Sequence, residues 1–302
     1  MTADNAHAST QTDSADNVEF IKAHGTENDF VVLLDPHVRI ELTAQRVQNI
    51  ADRRAGLGGD GVIRVATAQS LLDAGVLSTL PHDCVAEEWF MDYRNADGSL
   101  AEMCGNGVRV FAHVLVRNQL VDIQHNATFG IGTRGGRKKV TIHTFDDCHA
   151  TVSVHMGQPD VLGLSTATVG DFTAAGLAVD MGNPHLACVI PGLTQEKLAS
   201  LPIEQSVTWD EDFFPHGVNL EILTPRENGE IHMRVHERGV GETRSCGTGT
   251  VASAVAALAT DGEEYGTVGV NVPGGRVDVT INQHGAMLTG PSAVVASGEL
   301  YL

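Results

Sequence analysis

Two of the five cysteines open near-identical segments, Cys104-Gly105-Asn106-Gly107 and Cys246-Gly247-Thr248-Gly249. Each is followed by an apolar stretch of helical character, Val108 to Leu115 and Val251 to Ala259. A glycine-rich turn feeding a helix presents unpaired backbone N–H groups and the positive end of the helix dipole at one point. Such a point binds a carboxylate and favours thiolate over thiol, so both cysteines are expected to titrate below the free value of about 8.5. With one sulfur on each side of a carbon next to a bound carboxylate, a thiolate can remove a proton from one face while a thiol returns one to the other. That inverts the centre, which is racemisation or epimerisation. The charge gained by the carboxylate would be held by the helix-end N–H groups.

The reading needs no helper group. There are only four lysines (Lys22, Lys138, Lys139, Lys197) and no motif for a pyridoxal lysine, so no cofactor is expected. The 14 histidines are unclustered and no HExxH, EF-hand or Walker pattern is present, so no metal is expected. Cys84, Cys148 and Cys188 lack the glycine-flanked setting and are expected to be inert, small buried hydrophobes.

The elements that must hold the two cysteines recur in both halves. Asn95 precedes Cys104 by nine positions, and Glu237 precedes Cys246 by nine. Gly135-Gly136-Arg137 before Val140-Thr141-Ile142 returns as Gly274-Gly275-Arg276 before Val279-Thr280-Ile281, and the turn at Asn28 has a counterpart in Met181 to His185. A repeat of four features in one order implies two pseudo-equivalent domains. Strand-like runs outnumber helical ones, and each half has one buried helix. The expected class is α+β, with two pseudo-symmetric domains, each a mixed sheet curled around a central helix, and the active site in the cleft between them. The expected division is a disordered tail over 1–17, an N-terminal lobe over 18–155 joined by a C-terminal return over 291–302, and a C-terminal lobe over 156–290. Within the first lobe, Val18 to Ala23 reads as a strand, His24 to Asp29 as a polar turn and Phe30 to Leu34 as a second strand. Thr43 to Ala51 reads as a helix capped by Thr43, and Ala66 to Glu88 as a surface excursion.

Composition excludes other classes. With 302 residues, 19 Lys plus Arg and 38 Asp plus Glu, the net charge is -19, which repels phosphate backbones and anionic lipid. No nucleic-acid partner is expected, and no apolar run approaches the roughly 20 residues of a membrane span. Met1 to Asn17 has no Lys or Arg and no apolar core, unlike an export signal, and the odd, scattered cysteines suit a reducing compartment, so a cytoplasmic location is expected.

The segments HGTENDF (His24 to Phe30), RNADGS (Arg94 to Ser99), MCGNG (Met103 to Gly107), MGNPH (Met181 to His185), GVN (Gly217 to Asn219) and ERGVGETRSCGTG (Glu237 to Gly249), with PGGR near the end, follow one another in order. In this the chain resembles the diaminopimelate epimerases, cofactor-independent enzymes that interconvert LL- and meso-2,6-diaminopimelate for lysine and peptidoglycan synthesis. The resemblance implies that Cys104 and Cys246 are the acid/base pair. It implies substrate contacts from Asn28, Asn95, Asn183, Asn219, Glu237 and Arg238, with Gly105, Asn106, Gly247 and Thr248 around the reacting carboxylate. Arg238 would grip the distal carboxylate, and His185 and Glu237 would tune the cysteines. It also implies a homodimer acting on a small molecule. One departure concerns Gly61, in Gly58-Gly59-Asp60-Gly61, where many family members carry Gln, so that side-chain contact is absent or replaced. Competing readings are a proline- or histidine-type racemase, which would lack the Arg238 clamp, and a two-lobed amino-acid-binding or redox-sensing protein.

Overall fold

A computed structural model describes residues 17–122 and 127–302. The expected tail lies outside the described residues except for Asn17, which begins the first strand. The first half runs β1 (Asn17–Gly25), β2 (Asn28–Leu34), α1 (Ala44–Ala51), β3 (Gly61–Thr67), α2 (Ala68–Asp73), β4 (Trp89–Asn95), α3 (Gly105–Arg117), β5 (Ala127–Ile131), β6 (Lys138–Phe145) and β7 (His149–Gly157). The second runs β8 (Asp160–Val169), β9 (Phe172–Asp180), β10 (Pro184–Val189), α4 (Gln195–Ala199), β11 (Val207–Trp209), β12 (Asn219–Leu223), β13 (Glu230–Glu237), β14 (Gly241–Thr243), α5 (Gly247–Thr260), β15 (Gly266–Val272), β16 (Gly275–Asn282) and β17 (Gly285–Tyr301). The class is α+β, with strands dominant. None of the described helices is long and apolar enough to cross a membrane.

The halves share a common strand plan, to which the second adds β11 and β14. A hairpin opens each, β1–β2 closing at Gly25 and Asn28, and β9–β10 closing at Asp180 and Pro184. The second strand of each hairpin then pairs in parallel with the next long strand, β2 with β3 and β10 with β12, which pairs antiparallel with β4 or β13. The central helix follows, then the antiparallel pairs β5–β6 and β15–β16. Two strands tie the halves together. Beyond Gln158-Pro159, β8 carries the chain from β7 to β9, and β17 returns, pairing first with β16 and β7 and then, from Ala293 to Tyr301, with β1.

Each sheet curls around its helix because that helix is buried on nearly all sides. Every residue of α3 from Gly105 to Val116 is buried, including Arg109 and His113, and α5 buries an alanine-rich run that lets strands approach closely. In the first hairpin the two-residue turn Thr26-Glu27 has both φ angles positive, 51° and 58°, the twist that a tight hairpin between right-handed strands requires. The turn is shorter than the sequence suggested, and β1 and β2 are correspondingly longer. Helix α1 starts as expected, with the Thr43 hydroxyl accepting from the Arg46 amide at 3.2 Å.

The stretch from Ala66 to Glu88 corrects one expectation. It is not wholly a surface excursion: Thr67 caps α2, which lays Leu71 against Phe90 of β4, and Ala66, Ala68 and Leu77 complete a small separate core. Six helical residues are too few to display a period, which is why the sequence hid it. Cys148 corrects another, since it is exposed at the β6–β7 turn.

Candidate active site

Cys104 and Cys246 occupy the N-cap positions of α3 and α5 with extended backbone, and the Cys104 sulfur caps the first turn of its helix. The two helix ends abut. A β-carbon built on Gly247 would lie 3.2 Å from the Gly105 Cα, and one built on Gly105 would lie 3.5 Å from the Gly247 Cα and 3.2 Å from Met156 Cε. A side chain at Gly247 would crowd the Gly105 backbone, so the glycine after Cys246 also serves the close approach of the two helix ends.

Around Cys104, the Gly107 amide donates to the sulfur at 3.5 Å and the thiol donates to Asn28 Oδ1 at 3.4 Å. Asn28 is fixed in turn by its Nδ2, which donates to Asp60 at 2.7 Å. Asn106 donates to Asn28 Oδ1 at 3.2 Å and to the carbonyl and hydroxyl of Ser245 at 3.3 and 3.2 Å. Ser245 also bonds Thr26 at 2.8 Å, and Thr26 accepts from the fully buried Arg109. A buried polar chain therefore runs from α3 through the first hairpin to the residue before Cys246.

Around Cys246, the sulfur lies 3.6 Å from the Thr248 hydroxyl, and the charge of Glu237 acts on it. Thr243 donates its hydroxyl to Glu237. His185 is sealed from solvent, with Nδ1 at 2.7 Å from Glu221 and Nε2 at 3.2 Å from Asn183 Oδ1. Asn219 spends both ends of its amide on the backbone, donating to the Pro184 carbonyl and accepting from the Arg238 amide, each at 2.9 Å. Arg238 packs on Gly217 and donates to the His216 carbonyl at 3.1 Å. Asn95 donates to the Ser99 hydroxyl at 3.0 Å.

A scan against protein families matches the diaminopimelate epimerase model over residues 20–162 and 177–295. The diaminopimelate epimerase of Rhodococcus erythropolis is 54% identical over 283 residues, covering 94% of this chain and 96% of that protein. That of Corynebacterium aurimucosum is 55% identical over 285 residues, covering 94% of this chain and 100% of that one. The chain belongs to the diaminopimelate epimerase family. Outside the diaminopimelate epimerases the fold recurs at low identity. A hydroxyproline epimerase from Agrobacterium vitis superposes with a TM-score of 0.63 at 13% identity, covering 95% of this chain and 93% of that one. A predicted epimerase from Pseudomonas aeruginosa gives 0.64 at 13%, covering 94% and 99%.

The protonation of the two cysteines differs from the sequence expectation. Burial pushes the Cys104 thiol up to about 11, and burial together with the charges of Glu237 and Glu221 pushes Cys246 well above the ordinary thiol value. The helix-end N–H groups do oppose this, those of Gly107 and Asn106 for Cys104 and that of Gly249 for Cys246. They lose on magnitude: a helix terminus contributes at most about 2 kcal/mol, whereas full burial can move a group by roughly 3–5 pH units. Both thiols therefore rest protonated. Burial also raises the carboxyls of Glu237 and Glu221.

Several residues of the site escaped the sequence reading. Glu221 partners His185, and its signal was a lone carboxylate inside the apolar run Val218 to Leu223. Asp60, Thr26, Ser245 and Arg109 hold the candidate residues in place, and no local pattern distinguishes them from ordinary turn and helix residues.

Proposed function

We propose that this chain epimerises diaminopimelate between the LL and meso forms by a two-base mechanism carried by Cys104 and Cys246. The observation that supports it most is the meeting of two cysteine-capped helix ends, one from each half, with a single carboxylate, Glu237, opposing ionisation of both thiols. In this reading the reacting carboxylate rests on the N–H groups of Gly105, Asn106, Gly247 and Thr248, where a helix end offers several unpaired donors. One sulfur, as thiolate, takes the α-proton. The carbon's electron pair delocalises into the carboxylate, and the thiol on the other face delivers its proton, so the enzyme leaves each turnover with the two protonation states exchanged. Return to the starting state requires proton exchange with solvent or the reverse reaction.

The resting thiols must lose a proton before this can happen. The substrate's ammonium groups bring positive charge beside Glu237, which offsets the charge holding both thiols neutral. His185 and Glu237 then tune the pair, His185 being held by Glu221. Asn28, Asn95, Asn183, Asn219 and Arg238 bind the substrate, Arg238 with a planar fork suited to the distal carboxylate. Asn219 also accepts from the Arg238 backbone amide and so helps to position that arginine.

We further read residues 18–155 with 291–302 as one lobe and 156–290 as the other, the protein as a cytoplasmic homodimer, and its ligand as the small molecule alone. The activity is tested by incubating purified protein with LL-diaminopimelate and resolving the stereoisomers by chiral chromatography. Approach to an LL/meso mixture without added cofactor supports the reading. Turnover of proline or another single-headed amino acid in preference to diaminopimelate, or Arg238→Ala leaving diaminopimelate turnover intact, would overturn it.

A further inference from the structure

The correspondence between the halves singles out one position. On the second side β10 lies parallel to β12 with His185 beside Asn219, and on the first β2 lies parallel to β3 with Phe30 beside Gly61. Asn183 and Asn28 each stand two residues before those partners, so Gly61 is the counterpart of Asn219. Asn95, opposite Gly61 on β4, is likewise the counterpart of Glu237. The second half thus carries an amide side chain where the first carries none.

Tyr93 fills that place. A β-carbon built on Gly61 would lie 2.4 Å from Cε2 and 3.1 Å from the hydroxyl oxygen of Tyr93, and 2.5 Å from the Arg94 carbonyl, so no side chain fits at 61. The ring is held edge-on to Phe30, with centroids 5.7 Å apart, and the Tyr93 carbonyl accepts from Ala101 and Arg134. The side chain is only 6% exposed, yet its hydroxyl forms no hydrogen bond among the described residues and is not one of the oxygens sealed from solvent. Tyr93 belongs to the core against which Cys104 packs, and Asp60, which precedes Gly61, anchors the Asn28 that accepts from the Cys104 thiol.

Burial and the surrounding negative charge hold this phenol far above its ordinary range, so it remains a donor at every working pH. Diaminopimelate with both amines protonated has no acceptors other than its carboxylate oxygens. We infer that Tyr93 is a substrate-binding residue whose hydroxyl donates to a carboxylate oxygen of the bound diaminopimelate, occupying in the first half the place of Asn219 in the second. This rests on the function proposed above.

Tyr93→Phe tests it, because phenylalanine keeps the ring against Phe30 and Gly61 and removes only the free hydroxyl. The melting temperature of the unliganded protein is expected to be unchanged, while kcat/KM for LL-diaminopimelate falls at least about tenfold, as loss of a hydrogen bond to a charged group requires. The thermal stabilisation given by meso-diaminopimelate shrinks in parallel. A kcat/KM within about twofold of wild type, or equal ligand stabilisation in the two proteins, would overturn the inference. If the wild type is stabilised by diaminopimelate but does not epimerise it, the proposed reaction fails while the binding comparison still decides the role of Tyr93. If the wild type shows no response to diaminopimelate at all, both fall.

Discussion

Replacing Glu237 by Gln should make the two cysteines more reactive and the enzyme less active. With the Cys104 thiol at about 11, only about one molecule in a thousand carries its thiolate at about pH 8, and thiolate is the form that reacts with iodoacetamide. Glu237 contributes to that suppression at Cys104 and at Cys246 alike, since a negative carboxylate disfavours a second negative charge nearby. Removing a like charge at close range typically moves such a group by a unit or more, so alkylation of both cysteines in Glu237→Gln should speed up roughly tenfold at about pH 8. Epimerisation should fall at the same time, because the carboxylate that accepts from Thr243 and acts on both thiols is lost. The assay is a time course of iodoacetamide labelling read by peptide mass spectrometry, with exposed Cys148 as the internal standard. Labelling of Cys104 and Cys246 that is unchanged or slower in the variant would refute the reasoning. Acceleration of one cysteine alone would show that the carboxylate does not serve both.

Further expectations follow from the same geometry. The buried Glu237 carboxyl is raised above its unfolded value of 4.5, so the wild type loses stability as pH climbs through the folded value and Glu237→Gln does not; the variant's melting temperature relative to wild type should be more favourable at about pH 8 than at about pH 4.5, and an opposite trend in calorimetry would contradict the burial argument. Glu221→Leu strips the sealed His185 of its partner and should cost about 3–5 kcal/mol in denaturant unfolding, with Glu221→Gln costing clearly less; equal losses would mean the pair is not a structural unit. Gly217→Ala puts a side chain at a φ of 85° and 3.0 Å from Arg238 Cδ, so it should raise KM for diaminopimelate by displacing Arg238; an unchanged KM would separate Arg238 from substrate binding.

Much of this architecture is written locally and could be read from the chain. A glycine-rich turn feeding an apolar run opens a helix at both Cys104 and Cys246, and the repeat of that mark carries the two-fold plan with it. Thr43 as a cap is local in the same way, and so is the presence of a turn between His24 and Asp29, though not its two-residue length. The partnership of His185 with Glu221 depends on β10 lying parallel to β12, and the covering of Gly61 by Tyr93 depends on the β3–β4 pairing; neither is encoded by neighbours in sequence. The protonation of the cysteines departs from the sequence expectation for a different reason. The helix ends were visible in the sequence but the depth of burial was not, and burial is the larger effect.

The central claim is that protons leave and return at one carbon through two different sulfurs. Proton NMR of LL-diaminopimelate in deuterated buffer follows this directly: wild type should place solvent deuterium at the α-carbon of the meso product as it forms. Cys104→Ser and Cys246→Ser should each abolish inversion by several orders of magnitude while the protein stays folded. Product that retains its original α-proton throughout the first turnovers, or inversion that survives loss of either cysteine at near wild-type rate, would contradict the two-sulfur mechanism.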